Sequence, residues 1–173
     1  MTYSIAARCD KSGAFGIAIT SSSICVASRC AWVGPLGAVS TQNITDPALG
    51  PAGLALLRQG LGAGAVLQNL LAGTPQPEYR QVGVIDRYGK TALHSGSEAL
   101  PLAAFAEGPA CIALGNLLAS PEVPSRMIAA FSAASGETLA ERLMRGLEAG
   151  LQVGGETGDE HAAGLHVADV HDW

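Results

Sequence analysis

The chain has 173 residues, a formal net charge of −5, 22 glycines and few aromatic residues. That length suits one domain, residues 1–173, with a full core. No cluster of Lys or Arg occurs, which argues against nucleic acid or an anionic membrane surface as the main partner. No apolar run reaches the ~20 residues that span a bilayer. The start of the chain lacks a basic segment followed by a continuous apolar run, so no signal peptide is expected and the cytoplasm is the expected compartment.

Residues 3–9 read as a strand, and Asp10-Lys11-Ser12-Gly13 as a turn. Ala14 to Thr20 is a second strand, which closes a hairpin. Ile24 to Val33 reads as a further extended segment, broken by Gly34-Pro35, and Gly37 to Gln42 as a short buried strand. Two helices follow. Leu54, Leu57 and Leu61 recur at helical spacing after Pro51, and Ala63 to Ala72 gathers Val66, Leu67, Leu70 and Leu71 on one face. Gln81 to Asp86 and Lys90 to Ser95 form a hairpin around Arg87-Tyr88-Gly89. Ala110 to Gly115 is another strand. Ser120-Pro121 opens a helix with Met127, Ile128 and Phe131, and Thr138 and Glu141 spell a capping box for the next helix. Ala162 to Val170 is the last strand. Helices that come in pairs between groups of strands do not fit an alternating βαβ sheet. They fit an α+β fold in which two stacked, mainly antiparallel sheets are each covered by a helix pair: a four-layer αββα sandwich.

A strand beginning with Thr can be only a strand, because β-branched residues favour strands. It is also where one class of amide hydrolase keeps its nucleophile. The hydroxyl of Thr2 would attack while its own α-amine, with a pKa of about 7.7–8, serves as base. Polar residues cluster from Thr41 to Asp46 after a buried strand, a place where sites and ordinary turn chemistry both occur. Gln42 and Asn116 each end an apolar strand. They can orient an amide or carboxylate substrate, donate to an oxyanion, or satisfy a loop. His94 is a candidate acid–base or a hydrogen-bonded strand histidine. Arg80 is a candidate carboxylate clamp or a surface residue. Cys9, Cys25, Cys30 and Cys111 have no zinc spacing and read as reduced thiols, with Cys30 the one beside a cation, Arg29. His161, His166 and His171 are five apart, with Asp159, Glu160, Asp169 and Asp172 nearby. In a strand that odd spacing puts neighbours on opposite faces, against a shared metal site. The glycines at 60, 62 and 64 lie between helices rather than after a strand, so no phosphate loop is read there. No cofactor motif is visible.

The ordered stretches Thr2-Tyr3-Ser4-Ile5-Ala6-Ala7-Arg8, Gly16-Ile17-Ala18-Ile19-Thr20-Ser21, Gly37-Ala38-Val39-Ser40-Thr41-Gln42 and Gly50-Pro51-Ala52-Gly53-Leu54 are joined by Arg80-Gln81-Val82-Gly83-Val84-Ile85-Asp86, Ala92-Leu93-His94-Ser95-Gly96, Gly115-Asn116-Leu117-Leu118-Ala119, Leu139-Ala140-Glu141-Arg142-Leu143 and Gly154-Gly155. Together they resemble the bacterial domain-of-unknown-function family numbered 1028, grouped with the N-terminal-nucleophile (Ntn) hydrolases. The resemblance covers almost the whole chain. It implies the four-layer sandwich and, more remotely, a likeness to proteasome β subunits. By that likeness Thr2 is the nucleophile, Ser21 falls near a carboxylate position, Arg29 near a lysine position, and Thr41 or Gln42 near the oxyanion donor. Two residues depart from the pattern: Ser21 is no carboxylate, and Arg29, with a pKa above about 12, is no base. A retained Met1 would also leave Thr2 without a free α-amine. In the family the final strand region continues where this chain reaches Trp173.

The expected function is hydrolysis of a small amide or cyclic amide at its C–N bond. Thr2, Thr41, Gln42 and His94 are the expected catalytic groups, and Ser21, Arg80 and Asn116 the substrate-binding ones. The alternatives are a protein that keeps the fold for binding or assembly, and a hydrolase with another nucleophile, such as Cys30 or Ser21. Related folds assemble through their outer helices, so a homo-oligomer is expected by analogy.

Overall fold

The structure is a computed structural model and describes residues 1–169. Strands β1 (Thr2–Arg8), β2 (Phe15–Ser21), β7 (Ala104–Gly108), β8 (Cys111–Asn116) and β9 (Ala162–Ala168) form one sheet in the order β7-β8-β1-β2-β9. Strands β3 (Ala31–Gly34), β4 (Gly37–Asn43), β5 (Arg80–Asp86) and β6 (Thr91–Ser95) form the second, in sequence order. Every named pairing is antiparallel. Helices α4 (Val123–Ala133) and α5 (Leu139–Gln152) pack on the first sheet, and α2 (Leu49–Arg58) and α3 (Ala63–Gly73) on the second. The fold is the expected αββα sandwich.

Side-chain alternation along the central strands creates three apolar layers. On β1, Tyr3, Ile5 and Ala7 face the α4–α5 pair and pack with Met127, Phe131 and Leu143. Ala6 faces the other way and joins Ile17, Ile19, Ala38, Ile85 and Ile112 between the sheets. Val39, Val82 and Val84 look outward to Leu57, Val66 and Leu70 beneath α2 and α3. Both faces of the central strands are therefore covered, and β1, β2, β4, β5 and β8 are buried almost throughout.

The sheets approach closely because β5 carries a glycine at its centre. A Cβ on Gly83 would lie 2.5 Å from Ile112 Cδ1 and 2.8 Å from Ser40 Oγ. The capping box also forms: the Glu141 backbone N–H donates to Thr138 Oγ1, and the Thr138 N–H donates back to the Glu141 carboxylate.

Two elements differ from the sequence reading. The segment read as extended from Ile24 to Val33 opens with a short helix, α1 (Val26–Cys30), before β3 begins. Only Val26 and Cys30 of that helix are buried, a spacing of four within one turn and too short to set a helical period. Strand β7 has no strand signal in the sequence, because its half-buried positions, Ala104, Ala106 and Gly108, are small, and Phe105 points outward. Val170, the last residue of the expected final strand, lies outside the described residues.

Gly83→Val should destabilise the fold by about 1–3 kcal/mol through overpacking between the sheets. A lowered urea midpoint with an unchanged slope would show this. Thr138→Ala should cost about 1 kcal/mol from the lost cap, measured the same way.

Candidate active site at the start of β1

Register decides which polar residues meet. Thr2 lies opposite Asn116 on β8, and β1 also pairs with the end of β2, where Ser21 sits. Even-numbered β1 residues face the space between the sheets, as Ala6 does. Thr2 is 6% exposed and Ser21 fully buried. Their hydroxyl oxygens lie 3.1 Å apart. Both hydroxyls donate toward the carbonyl oxygen of Met1. The Ser23 backbone N–H donates to Ser21 Oγ at 3.0 Å, which leaves the Ser21 proton directed at that carbonyl.

One residue further into the same face, a buried amide network crosses between the sheets. Ser4 Oγ donates to Gln42 Oε1 at 2.7 Å, and Gln42 Nε2 donates to Gln81 Oε1 at 3.1 Å. Asn116 Nδ2 donates to the same Gln81 oxygen at 2.9 Å. Gln81 Nε2 in turn donates to Ser95 Oγ and to the Gly115 carbonyl. Asn116 Oδ1 is buried and accepts nothing. Beside Thr2 it is a spare acceptor for a substrate N–H.

Thr2, Ser21, Gln42 and Asn116 thus meet at one end of the inter-sheet layer. The other three expected site residues do not join them. Thr41 pairs with Val82 and His94 also pairs with Val82, so both share the sheet face that Val82 buries under α3. Thr41 Oγ1 donates to the Asp46 carbonyl, and His94 Nε2 bonds the Pro77 carbonyl at 2.8 Å. Arg80 lies on that face too. Its guanidinium holds the Ile44 and Pro75 carbonyls and so ties two loops together. Thr41 and Gln42 are indistinguishable in sequence, because β4 is buried on both sides and lacks the alternation that reveals a face.

Cys30 is buried beside Thr45, and burial raises its thiol pKa despite Arg29. It has the character of a structural thiol. Of the histidines, His161 Nδ1 bonds the Ser22 carbonyl and His166 sits opposite Ile17 on β9. His171 and Asp172 lie outside the described residues. Among the described residues no group of three His, Cys, Asp or Glu converges as metal ligands.

Glu156 is the site residue the sequence reading missed. It sits in the loop between α5 and β9, pinned by a bridge to Leu118. It is 5% exposed, and no side chain hydrogen-bonds its carboxylate oxygens. Burial pushes its pKa up to about 7 against the opposing influence of the Met1 ammonium; nearby Glu160 adds to the rise, while the Ser22 backbone N–H and His161 oppose it. Glu160 is itself held by the Tyr3 hydroxyl at 3.0 Å, and burial raises the pKa of that phenol. A lone glutamate in a glycine-rich loop carries no motif, so only contact geometry singles it out.

The family of unknown function DUF1028 matches residues 2–173. The chain belongs to that family. Its fold superposes on the crystal structure of protein SPO2555 from Silicibacter pomeroyi, also described as DUF1028, with a TM-score of 0.87 and 27% identity over 96% of this chain and 72% of that one. No curated protein matches the sequence. No helix among the described residues of this DUF1028 chain is long and apolar enough to cross a membrane.

The raised Glu156 pKa predicts a pH dependence of stability. The folded state binds the proton more tightly than the unfolded state, whose glutamate titrates near the ordinary 4.5. This carboxyl's contribution is therefore fully present below that value and is lost as pH rises through about 7. Glu156→Gln, which keeps the shape of the protonated acid, should flatten the fall in urea midpoint between pH 5 and pH 8. An identical fall in the variant would assign the titration to another group.

Proposed function

We propose that this protein is an Ntn-type hydrolase that cleaves the C–N bond of a small amide or cyclic amide, with Thr2 Oγ as nucleophile. One observation carries this reading: Thr2 Oγ sits against a carbonyl, that of Met1, which the Ser21 hydroxyl also engages. Two hydroxyls that converge on one carbonyl oxygen support this corner as the place where a substrate carbonyl is held beside Thr2.

Removal of Met1 would free the α-amine of Thr2. The amine takes the hydroxyl proton as Oγ attacks the substrate carbonyl carbon, and Ser21 Oγ donates to the developing oxyanion. Collapse breaks the C–N bond, and the leaving nitrogen takes the proton from the amine. Water then hydrolyses the Thr2 ester, releasing the acid and restoring the hydroxyl. No lysine is needed in this scheme, and the two in the chain, Lys11 and Lys90, are exposed. Asn116 Oδ1 and Gln42 support a role in orienting the substrate amide.

Four free cysteines favour a reducing compartment, the cytoplasm. Exposed Met144 and Leu151 on α5 favour assembly of copies through the outer helices. A second reading, a protein that keeps the sandwich for binding small molecules without turnover, is favoured by the residues that depart from the Ntn pattern: Ser21 is no carboxylate and Arg29 is no base.

The test is intact-protein mass spectrometry before and after a β-lactone electrophile, with peptide mapping. Loss of Met1 and a single adduct on Thr2 are expected. Thr2→Ala should abolish the adduct and lower turnover in an amide panel by at least about 10³-fold. Retained Met1 with no adduct on Thr2 would sink the mechanism.

A further inference from the structure

Met1 itself occupies a formed site. Its carbonyl lies at Thr2 Oγ and Ser21 Oγ. Its thioether lies 3.2 Å from Thr157 Oγ1. Gly158 leaves room for the end of its side chain: a Cβ there would stand 2.8 Å from Met1 Cε and 3.4 Å from Sδ. Its ammonium is the leading favourable charge acting on Glu156, whose carboxylate is buried with no side chain hydrogen-bonded to it. The carbonyl and the side chain of one amino acid are thus each met by a separate group of the protein, and its amine lies in the field of Glu156, the neighbour of Thr157.

We propose that the space Met1 fills is the acyl subsite of the enzyme, which takes an amide of an unbranched apolar α-amino acid with a free amino group, read by Glu156. This rests on the reading of Thr2 as nucleophile and names the substrate class for it. The α-ammonium of such a substrate takes the place of the Met1 ammonium as the charge facing buried Glu156, and Thr157 and Gly158 shape the pocket for a slender side chain. A β-branched side chain brings bulk at Cβ, next to the reacting carbonyl. The bond formed is the ester from Thr2 Oγ to the aminoacyl carbon. The bond broken is the amide C–N, whose nitrogen leaves with the proton taken from the Thr2 hydroxyl, and water then releases the free amino acid. Around Glu156 the groups that bear on its charge are the N-terminal ammonium, Glu160, His161 and the Ser22 backbone N–H. An entering ammonium favours the carboxylate and makes binding strengthen as Glu156 ionises.

The experiment uses the protein released from a cleavable fusion so that it begins at Thr2. L-Methioninamide, N-acetyl-L-methioninamide, L-alaninamide and L-valinamide, the last expected to bind weakest, are titrated by calorimetry, and the same samples are assayed for hydrolysis by mass spectrometry. L-Methioninamide should bind at least tenfold tighter than its acetylated form, and Glu156→Gln should erase that difference. Gly158→Ala should weaken L-methioninamide while sparing L-alaninamide, which shows that the variant is folded. Equal binding of free and acetylated amides, or binding of neither, would overturn the proposal. Hydrolysis of acetylated and free amides alike by Thr2 would keep the hydrolase reading and discard the subsite. Amine-dependent binding without Thr2-dependent turnover would keep the subsite and discard the hydrolase.

Discussion

The side-chain amide of Gln81 holds the working end of this fold together. Gln81 lies on β5, fully buried, and accepts from Gln42 on β4 and from Asn116 across the gap on β8. It donates to Ser95 on β6 and to the Gly115 carbonyl. Four strands from two sheets meet at one side chain. Burial of apolar surface is not directional and by itself does little to choose among the offsets of two stacked sheets. A buried amide cannot slide, because each donor or acceptor left unmade costs about 1–3 kcal/mol. The network therefore sets the offset of the sheets, and that offset sets what stands beside Thr2.

The position of Thr2 follows from this constraint. Asn116 is both a member of the network and the residue opposite Thr2 on β8. Ser21 arrives from the other side through the β1–β2 hairpin. Thr2 is flanked on its own sheet by a hydroxyl and an amide, and faced across the gap by the amides of the second sheet. Close approach at Gly83 keeps this layer thin enough for side chains as short as Ser4 and Gln42 to span it. The same end of the molecule receives the loop that carries Glu156, Thr157 and Gly158, tied down where the Thr157 N–H meets the Leu117 carbonyl and the Ala119 N–H meets the Gly155 carbonyl. The Thr2 and Ser21 hydroxyls, a spare amide oxygen and a buried carboxylate are brought together by packing forces that act far from any of them.

The face opposite shows how the same residue types serve stability instead. Arg80 and His94 are spent on loop carbonyls, and Thr41 on the Asp46 carbonyl. Together they anchor the segments that follow β4 and precede β5. Their chemistry resembles that of the site residues, but their side of the sheet does not.

Much of the architecture was legible in the chain alone, because it rests on local signals. Turn residues marked the hairpins, leucine spacing marked α2 and α3, and Thr138 with Glu141 marked the start of α5. The pairing of helices between groups of strands implied two covered sheets. Strand ends also announced polar candidates at Thr2, Ser21, Gln42 and Asn116. The tertiary structure alone decided which face each candidate takes. In strands buried on both sides, apolar and polar residues no longer alternate, so Thr41 and Gln42 look equivalent in sequence while one supports a loop and the other joins the inter-sheet network. The structure alone likewise brought Thr157, the neighbour of Glu156, to the Met1 side chain, 156 positions away in the chain. No sequence period encodes a contact of that span, since it depends on how two sheets and a loop pack rather than on any segment's own preference.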